Sequence, residues 1–217
     1  MTTGSAADRV NLWVRPEHAR RYLGERADIP HQTESMAALA EFVPASVGRV
    51  LDLGTGDGIS MALVLDLCPQ ASGVAVDFSE EMLGRARERF ADAPVDVVRH
   101  DLDEPLPEAW GDFDLVVSSF AIHHLPHERK AALYGEVFER LAPGGTFLNL
   151  EHVASPTTRL HDDFLASLGR TAADDDPSNI LAPVEDQLHW LRSVGFVDVD
   201  CHWKWRELAL IGANRPT

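Results

Sequence analysis

The segment Val50-Leu51-Asp52-Leu53-Gly54-Thr55-Gly56-Asp57-Gly58 constrains this chain more than any other. An apolar run ends in three glycines at alternate positions, and Ile59 to Leu67 continues as an apolar stretch of helical composition. That order reads as a buried parallel strand, a tight turn and the start of a helix. Glycine at 54, 56 and 58 lets the backbone take positive φ and lets a ligand approach where a Cβ would stand. The helix start then presents unpaired N–H groups and a partial positive charge. A strand, turn and helix of this kind belong to an open α/β sheet, which binds ligands at the carboxyl ends of its strands.

Downstream, the same unit repeats. Gly73 to Val76 reads as a second strand ending at Asp77, and Ser79 to Phe90 as a helix. In that helix Ser79 is the expected N-cap, Glu80 and Glu81 suit the first turn, and Met82, Leu83, Ala86 and Phe90 form one stripe. Asp96 to Arg99 is a third strand, and Phe113 to Ser118 a fourth that is apolar throughout. Pro126 marks a helix start, with Leu133, Tyr134, Val137, Phe138 and Leu141 as its buried face. Pro143-Gly144-Gly145 turns the chain into a fifth strand, Thr146 to Val153. Strands alternating with helices imply a parallel sheet with helices on both faces. The helix Ile59 to Leu67, apolar nearly all round, is expected to be buried on more than one side.

The flanks read differently. Asn11 to Val43 is expected to be helical, broken at Pro30, forming a cap over 1–44 that belongs to the same domain as 45–217. Residues 154–182 read as a helical lid insertion, with a helix over Thr157 to Leu168 and an acidic loop carrying Asp174, Asp175 and Asp176. A helix over Pro183 to Val194 stops at Gly195, and Phe196 to Trp203 and Arg206 to Ala213 make a closing antiparallel pair. The fold class is therefore α/β: a Rossmann-like, seven-stranded, mostly parallel sheet with helices on both faces.

Composition narrows the partners. A formal charge of −16 repels phosphate backbones, so nucleic acid is a poor default partner. Cys68 and Cys201 both lie in apolar surroundings and read as reduced thiols rather than a bridge. No stretch is apolar and long enough to span a bilayer, and Met1 to Asp8 lacks a leader pattern, so a cytoplasmic protein without membrane partners is expected, as monomer or homodimer.

Three features fall at successive strand ends: the glycine loop, Asp77, and Asp101-Leu102. An acid after the second strand can accept both ribose hydroxyls, and one after the third can take an adenine amino group. A dinucleotide fingerprint would need its third glycine at position 59, which is isoleucine. With VLDLGTGDG, VAVDFSEEML, HDLDEPLP, FDLVVSSFAIHHL, LAPGGTFLNLEHV and the terminal GFVDVDCHWKWRELALIG, the chain resembles the class I S-adenosylmethionine-dependent methyltransferases over about residues 45–213. The resemblance implies S-adenosyl-L-methionine as cofactor and S-adenosyl-L-homocysteine as product. It implies Gly54, Thr55 and Gly56 on the methionine part, with Asp52 orienting the loop. It implies Asp77 on the ribose, Phe78 beside the adenine, Asp101 and Leu102 lining it, and the Ser119 backbone on the methionine amino group. Related chains carry an arginine ahead of the first strand that reaches the cofactor carboxylate, and Arg26 is the candidate here.

Methyl transfer asks for a nucleophile held in line and for water to be excluded. A general base helps where that nucleophile is protonated near neutral pH. His123, His124, Glu151 and His152 are the candidates, all near strand ends. Glu151-His152 has no third ligand at suitable spacing, so no metal is expected. The expected acceptor is a small molecule with an oxygen, nitrogen or carbon nucleophile, in a pocket that Trp13, Tyr22 and Phe120 are placed to line. Two alternatives share the cofactor site: modification of tRNA wobble uridines, with S-adenosylmethionine or a carboxylated derivative, and a non-catalytic S-adenosylmethionine-binding module.

Overall fold

The computed structural model describes Glu17 and residues 31–217; Trp13, Tyr22 and Arg26 lie outside the described residues. The elements are α1 (Gln32–Phe42), β1 (Arg49–Leu53), α2 (Ile59–Leu67), β2 (Ser72–Asp77), α3 (Glu80–Arg89) and β3 (Val95–Arg99). They continue with β4 (Phe113–Ser119), α4 (His127–Arg140), β5 (Leu141–His152), α5 (Thr158–Ser167), α6 (Val184–Val194), β6 (Val197–Trp205) and β7 (Leu208–Asn214). Single 3-10 turns occur at Glu108–Trp110, Ile122–His124 and Ala172–Asp174.

The sheet has seven strands in the order β3-β2-β1-β4-β5-β7-β6. β1 to β5 pair in parallel, and β7 runs antiparallel to both β5 and β6. The chain steps outward from β1 to β3, then returns to lay β4 on the other side of β1. With right-handed crossovers that reversal moves the following helices to the opposite face. One face accordingly packs Leu39 of α1, Met61 and Val64 of α2 and Ala86 of α3 on Val50, Ala75, Leu115, Val117 and Leu148. The other packs Leu133, Tyr134 and Val137 of α4 and Leu191 of α6 on Leu51, Leu53, Val116 and Phe147. The crevice of an open sheet lies where the strand order reverses, here between the carboxyl ends of β1 and β4.

Several elements differ from the sequence expectation. β5 starts at Leu141 rather than Thr146, because Leu141 already pairs with Phe113 ahead of a register shift. The closing hairpin turns at Arg206 and Glu207 rather than at Lys204 and Trp205. α2 buries Ser60, Met61 and Val64 and packs Ala62, Leu63 and Leu65, half-buried, against the same core, while Leu67 at its end stays 47% exposed. Ser79 stands at the N-cap of α3, yet its side chain makes no capping bond. Both cysteines are free, Cys68 buried and Cys201 half-buried.

Candidate functional site

The loop after β1 stands on a buried carboxylate. Asp52 lies fully inside, where its Oδ2 accepts hydrogen bonds from Thr55 Oγ1 at 2.6 Å and from the Met61 amide at 3.2 Å. Its Oδ1 is buried and has no hydrogen-bond partner. Burial pushes the Asp52 carboxyl up to about 7; the two hydrogen bonds oppose that, and the charges of Asp77 and Asp57 add to it.

The glycines divide the work. Gly54 has φ +67°, and a Cβ there would lie 2.2 Å from the Ala121 Cβ, so β1 and the segment after β4 approach backbone to backbone. Gly56 also has positive φ, +57°, but a Cβ would meet nothing within 4 Å. The loop therefore closes on the protein at Gly54 and opens onto free space at Gly56. On its far side Arg89 donates to the Asp57 carbonyl at 2.6 Å and to Oδ2 of the same residue at 3.1 Å.

Asp77 ends β2 beside this opening. Oδ2 accepts from the Gly56 amide at 2.9 Å and Oδ1 from the Ser79 amide at 2.8 Å. A carboxylate has about four acceptor positions, so both oxygens keep capacity for hydroxyl donors. Burial raises the Asp77 carboxyl, with amides of Ser79, Gly56 and Phe78 working against it. Phe78 is half-buried. After β3, Asp101 is exposed and Leu102 buried, with a Leu102 methyl 3.9 Å from the Cβ position of Gly54. Ser119, half-buried, closes β4 opposite Leu150 of β5. The cofactor candidates among the described residues thus ring the ends of β1, β2, β3 and β4.

The base candidates gather at the ends of β4 and β5. Phe120 turns there with φ +51°, a backbone conformation a bulky residue seldom takes, held by its amide on the Leu150 carbonyl at 2.8 Å. It packs among Phe164, Leu165, Leu208, Trp203 and Trp205. His123 Nδ1 meets Glu151 Oε1 at 2.8 Å, both side chains buried. Burial, then the charges of His152 and Lys130, hold His123 well below its usual value, and burial raises Glu151. His124 Nδ1 faces the Ser178 carbonyl at 3.2 Å, and its ring is pushed down to about 3, first by burial and then by His123. His152 is half-buried, its Nε2 3.0 Å from Glu207 Oε2.

Two charged residues of this cluster escape sequence reasoning. Lys130 is fully buried; its Nζ donates to the carbonyls of His123 at 3.1 Å and Ile180 at 2.7 Å, and to that of Leu125. Its signal was present: position 130 falls on the stripe 133, 134, 137 of α4. Glu207, also fully buried, accepts from His152 and, at 3.0 Å, from His161 Nδ1 on α5. Burial works to raise this carboxyl, but hydrogen bonds from His152, Ser155 and His161 outweigh it and hold it below the usual range. Nothing in its sequence setting marks it, because the hairpin turn that buries it is a tertiary feature. Among the described residues no group of three or more His, Cys, Asp and Glu is arranged to hold a metal ion, and no helix is long and apolar enough to cross a membrane.

Residues 50–145 match the family model described as a methyltransferase domain. An uncharacterized methyltransferase of Mycobacterium tuberculosis is 38% identical over 111 residues, 51% of this chain and 53% of that protein. The chain thus spans about half the length of this relative. A ubiquinone/menaquinone biosynthesis C-methyltransferase of Desulfotalea psychrophila is 31% identical over 182 residues, 77% of this chain and 72% of the relative. Among solved structures, an O-methyltransferase family protein from Burkholderia thailandensis superposes with a TM-score of 0.74 at 20% identity, over 94% of this chain and 62% of the other. That likeness is one of fold.

Proposed function

Because the chain belongs to the class I S-adenosylmethionine-dependent methyltransferases, we propose that it transfers the methyl group of S-adenosyl-L-methionine to a small-molecule acceptor. The observation that carries this reading is the loop around Gly56: open where a Cβ would stand, with the buried carboxyl groups of Asp77 on the Gly56 amide and Asp52 on the Thr55 hydroxyl. A cationic, hydroxyl-bearing ligand suits such a cradle. Asp77 would hold the ribose, Phe78, Asp101 and Leu102 the adenine, and Gly54, Thr55, Gly56 and the Ser119 backbone the methionine end. Asp52 fixes the loop through Thr55 and Met61. The cofactor supplies, when bound, a methyl group already made electrophilic by its sulfonium.

The chain's own part is placement and dryness. Phe120, Phe164, Trp203 and Trp205 make an apolar wall beside the ends of β4 and β5. Such a wall orients an acceptor and excludes water from the line of attack. His123 Nδ1 meets Glu151 Oε1 at 2.8 Å, and Lys130 opposes the rise that burial imposes on the Glu151 carboxyl. The net charge of −16 supports a small molecule over a nucleic acid as acceptor. The two free cysteines suit a reducing compartment, and the reading extends to the cytoplasm.

Calorimetric titration of S-adenosylmethionine tests the cofactor site. Asp77→Ala should weaken binding by about 30-fold or more, as expected for losing hydrogen bonds to a charged group worth ~2 kcal/mol or more. Binding of wild-type strength in that variant would remove Asp77 from the site. Incubation of cell extract small molecules with methyl-labelled cofactor, read by mass spectrometry, should show a labelled product; its absence would remove the transfer reaction.

A further inference from the structure

Three histidines stand at the ends of β4 and β5, and they differ in burial and in the group that the bonded ring nitrogen meets. His123 is buried with Nδ1 on Glu151, and its neutral form is strongly favoured. His124 has Nδ1 on Ser178 and is likewise held neutral. Both are framework: Ile180 donates its amide to the His123 carbonyl at 3.0 Å, and Lys130 links that carbonyl to the Ile180 carbonyl. His152 differs. Its ring is half-buried, 5.4 Å from the ring of Phe164 and 5.6 Å from that of His123, so it lies on the aromatic wall. Its Nε2 is on Glu207, and its Nδ1 has no hydrogen-bond partner among the described residues.

The carboxylate behind it is built for one task. Glu207 comes from the β6–β7 turn, and its amide carbonyl also accepts from the Val153 amide at 2.7 Å, which fixes the turn to the end of β5. Its side chain is fully buried and receives His152, Ser155 and His161 together. His161, on α5, also faces Asp175 with its Nε2 at 3.4 Å. An ionised carboxylate can only accept, so Nε2 of His152 must carry the proton and the lone pair of the neutral ring falls on Nδ1. The other groups near His152 are Glu151 and Asn149 on its own strand, His123 beyond, and Lys130 behind Glu151.

We propose that His152 is the general base of the methyl transfer, taking the proton of an acceptor hydroxyl at Nδ1, with Glu207 as the residue that positions it. The proposal deepens the methyltransferase reading and rests on it. The proton leaves the acceptor O–H for the lone pair of Nδ1, and the bonding pair stays on oxygen, which would attack the methyl group as the methyl–sulfur bond breaks and its pair stays on the sulfur of the S-adenosyl-L-homocysteine product. The imidazolium so formed is stabilised by Glu207 and returns its proton to solvent after transfer. The acceptor is thus a compound whose hydroxyl is protonated at neutral pH, held against Phe120, Phe164 and Trp205.

Two phenols separate a base from a merely structural residue: phenol, protonated at the working pH, and 4-nitrophenol, mostly ionised there. With the full-length protein and S-adenosylmethionine, His152→Gln should lower kcat on phenol by about 100-fold, within the range of a lost general base, and on 4-nitrophenol by less than about 5-fold. Cofactor affinity by calorimetry should not change. Glu207→Gln should lower kcat on phenol by about 10-fold, on the same acceptor dependence. Nitrogen-15 NMR of the histidine side chains, without cofactor, should show His152 in wild type as the Nε2–H tautomer and as a mixture in Glu207→Gln. Equal losses on both phenols, wild-type rates in His152→Gln, or an Nδ1–H tautomer in wild type would each overturn the proposal. So would a wild-type protein that binds the cofactor yet methylates neither phenol. Failure to bind the cofactor would instead overturn the methyltransferase reading.

Discussion

Lys130→Met is expected to lower the unfolding free energy by about 3–5 kcal/mol, the order expected when three buried carbonyls lose a charged donor at roughly 1–3 kcal/mol for each group left unsatisfied. The ammonium sits with no exposed surface among the carbonyls of His123, Leu125 and Ile180, which together tie the turn after β4 to the segment before α6. Methionine fills similar volume but donates nothing, so three carbonyls lose a donor and Glu151 loses the charge that opposes the rise of its carboxyl. Chemical denaturation at pH 7 measures the loss. Adding Glu151→Gln should recover part of it, because the uncompensated acid is then gone, so the double variant should be less destabilised than the sum of the singles. A loss below about 1 kcal/mol, or strict additivity, would show that Lys130 and Glu151 are not a pair.

Lys130 also shows where the sequence was legible and where it was not. Strand and helix patterns for β1 to β5 and α2 to α4 stand out because the inner strands β1, β2, β4 and the second half of β5 are largely buried and mostly apolar, with β3 a half-exposed edge strand. Periodicity places position 130 on the inner stripe of α4, but residue type argues for solvent; the carbonyls that resolve the conflict come from His123 and Leu125 in the turn before the helix and from Ile180 on a distant segment. Asp52 and Asp77 were visible as acids at strand ends, since strand ends are local. What they bond to was legible only in part: the Asp77–Ser79 bond is the local contact an aspartate makes two residues on, whereas its bond to Gly56 spans 21 residues. Glu207 is the extreme case. Its partners come from β5 and α5, 46 and more residues away, and an acid within an apolar strand pattern reads as a surface residue. The α/β frame is thus written locally, whereas the hydrogen-bonded carboxylates around the histidines depend on chain segments that only folding brings together.

Asp52 is expected to contribute less to the stability of the free protein as pH rises from about 4 to 7. Its carboxyl stands at about 7 in the folded protein against 3.8 in the unfolded chain, first because of burial. A raised folded value means the folded state binds the proton more tightly, so the stabilisation is complete below the unfolded value and is lost as pH passes through the folded one. At about 1.4 kcal/mol per unit, the loss is on the order of 4 kcal/mol across that window. Asp52→Asn keeps the shape and removes the proton equilibrium, so its unfolding free energy should lack this component of the slope. The comparison must be a difference between the two proteins: raised Asp77 and Glu151 tilt both curves the same way, whereas lowered Glu207, and His123 and His124 held neutral by burial, tilt them oppositely. Parallel curves for wild type and Asp52→Asn from pH 4 to 7 would contradict the assignment. The cost is tied to the proposed role, because a cationic ligand over the Gly56 opening favours the ionised carboxylate that the free protein disfavours. Cofactor binding near pH 6 should therefore release close to one proton, read as a dependence of the binding enthalpy on the ionisation enthalpy of the buffer. That release should vanish in Asp52→Asn; an undiminished release in the variant would assign the proton to another group.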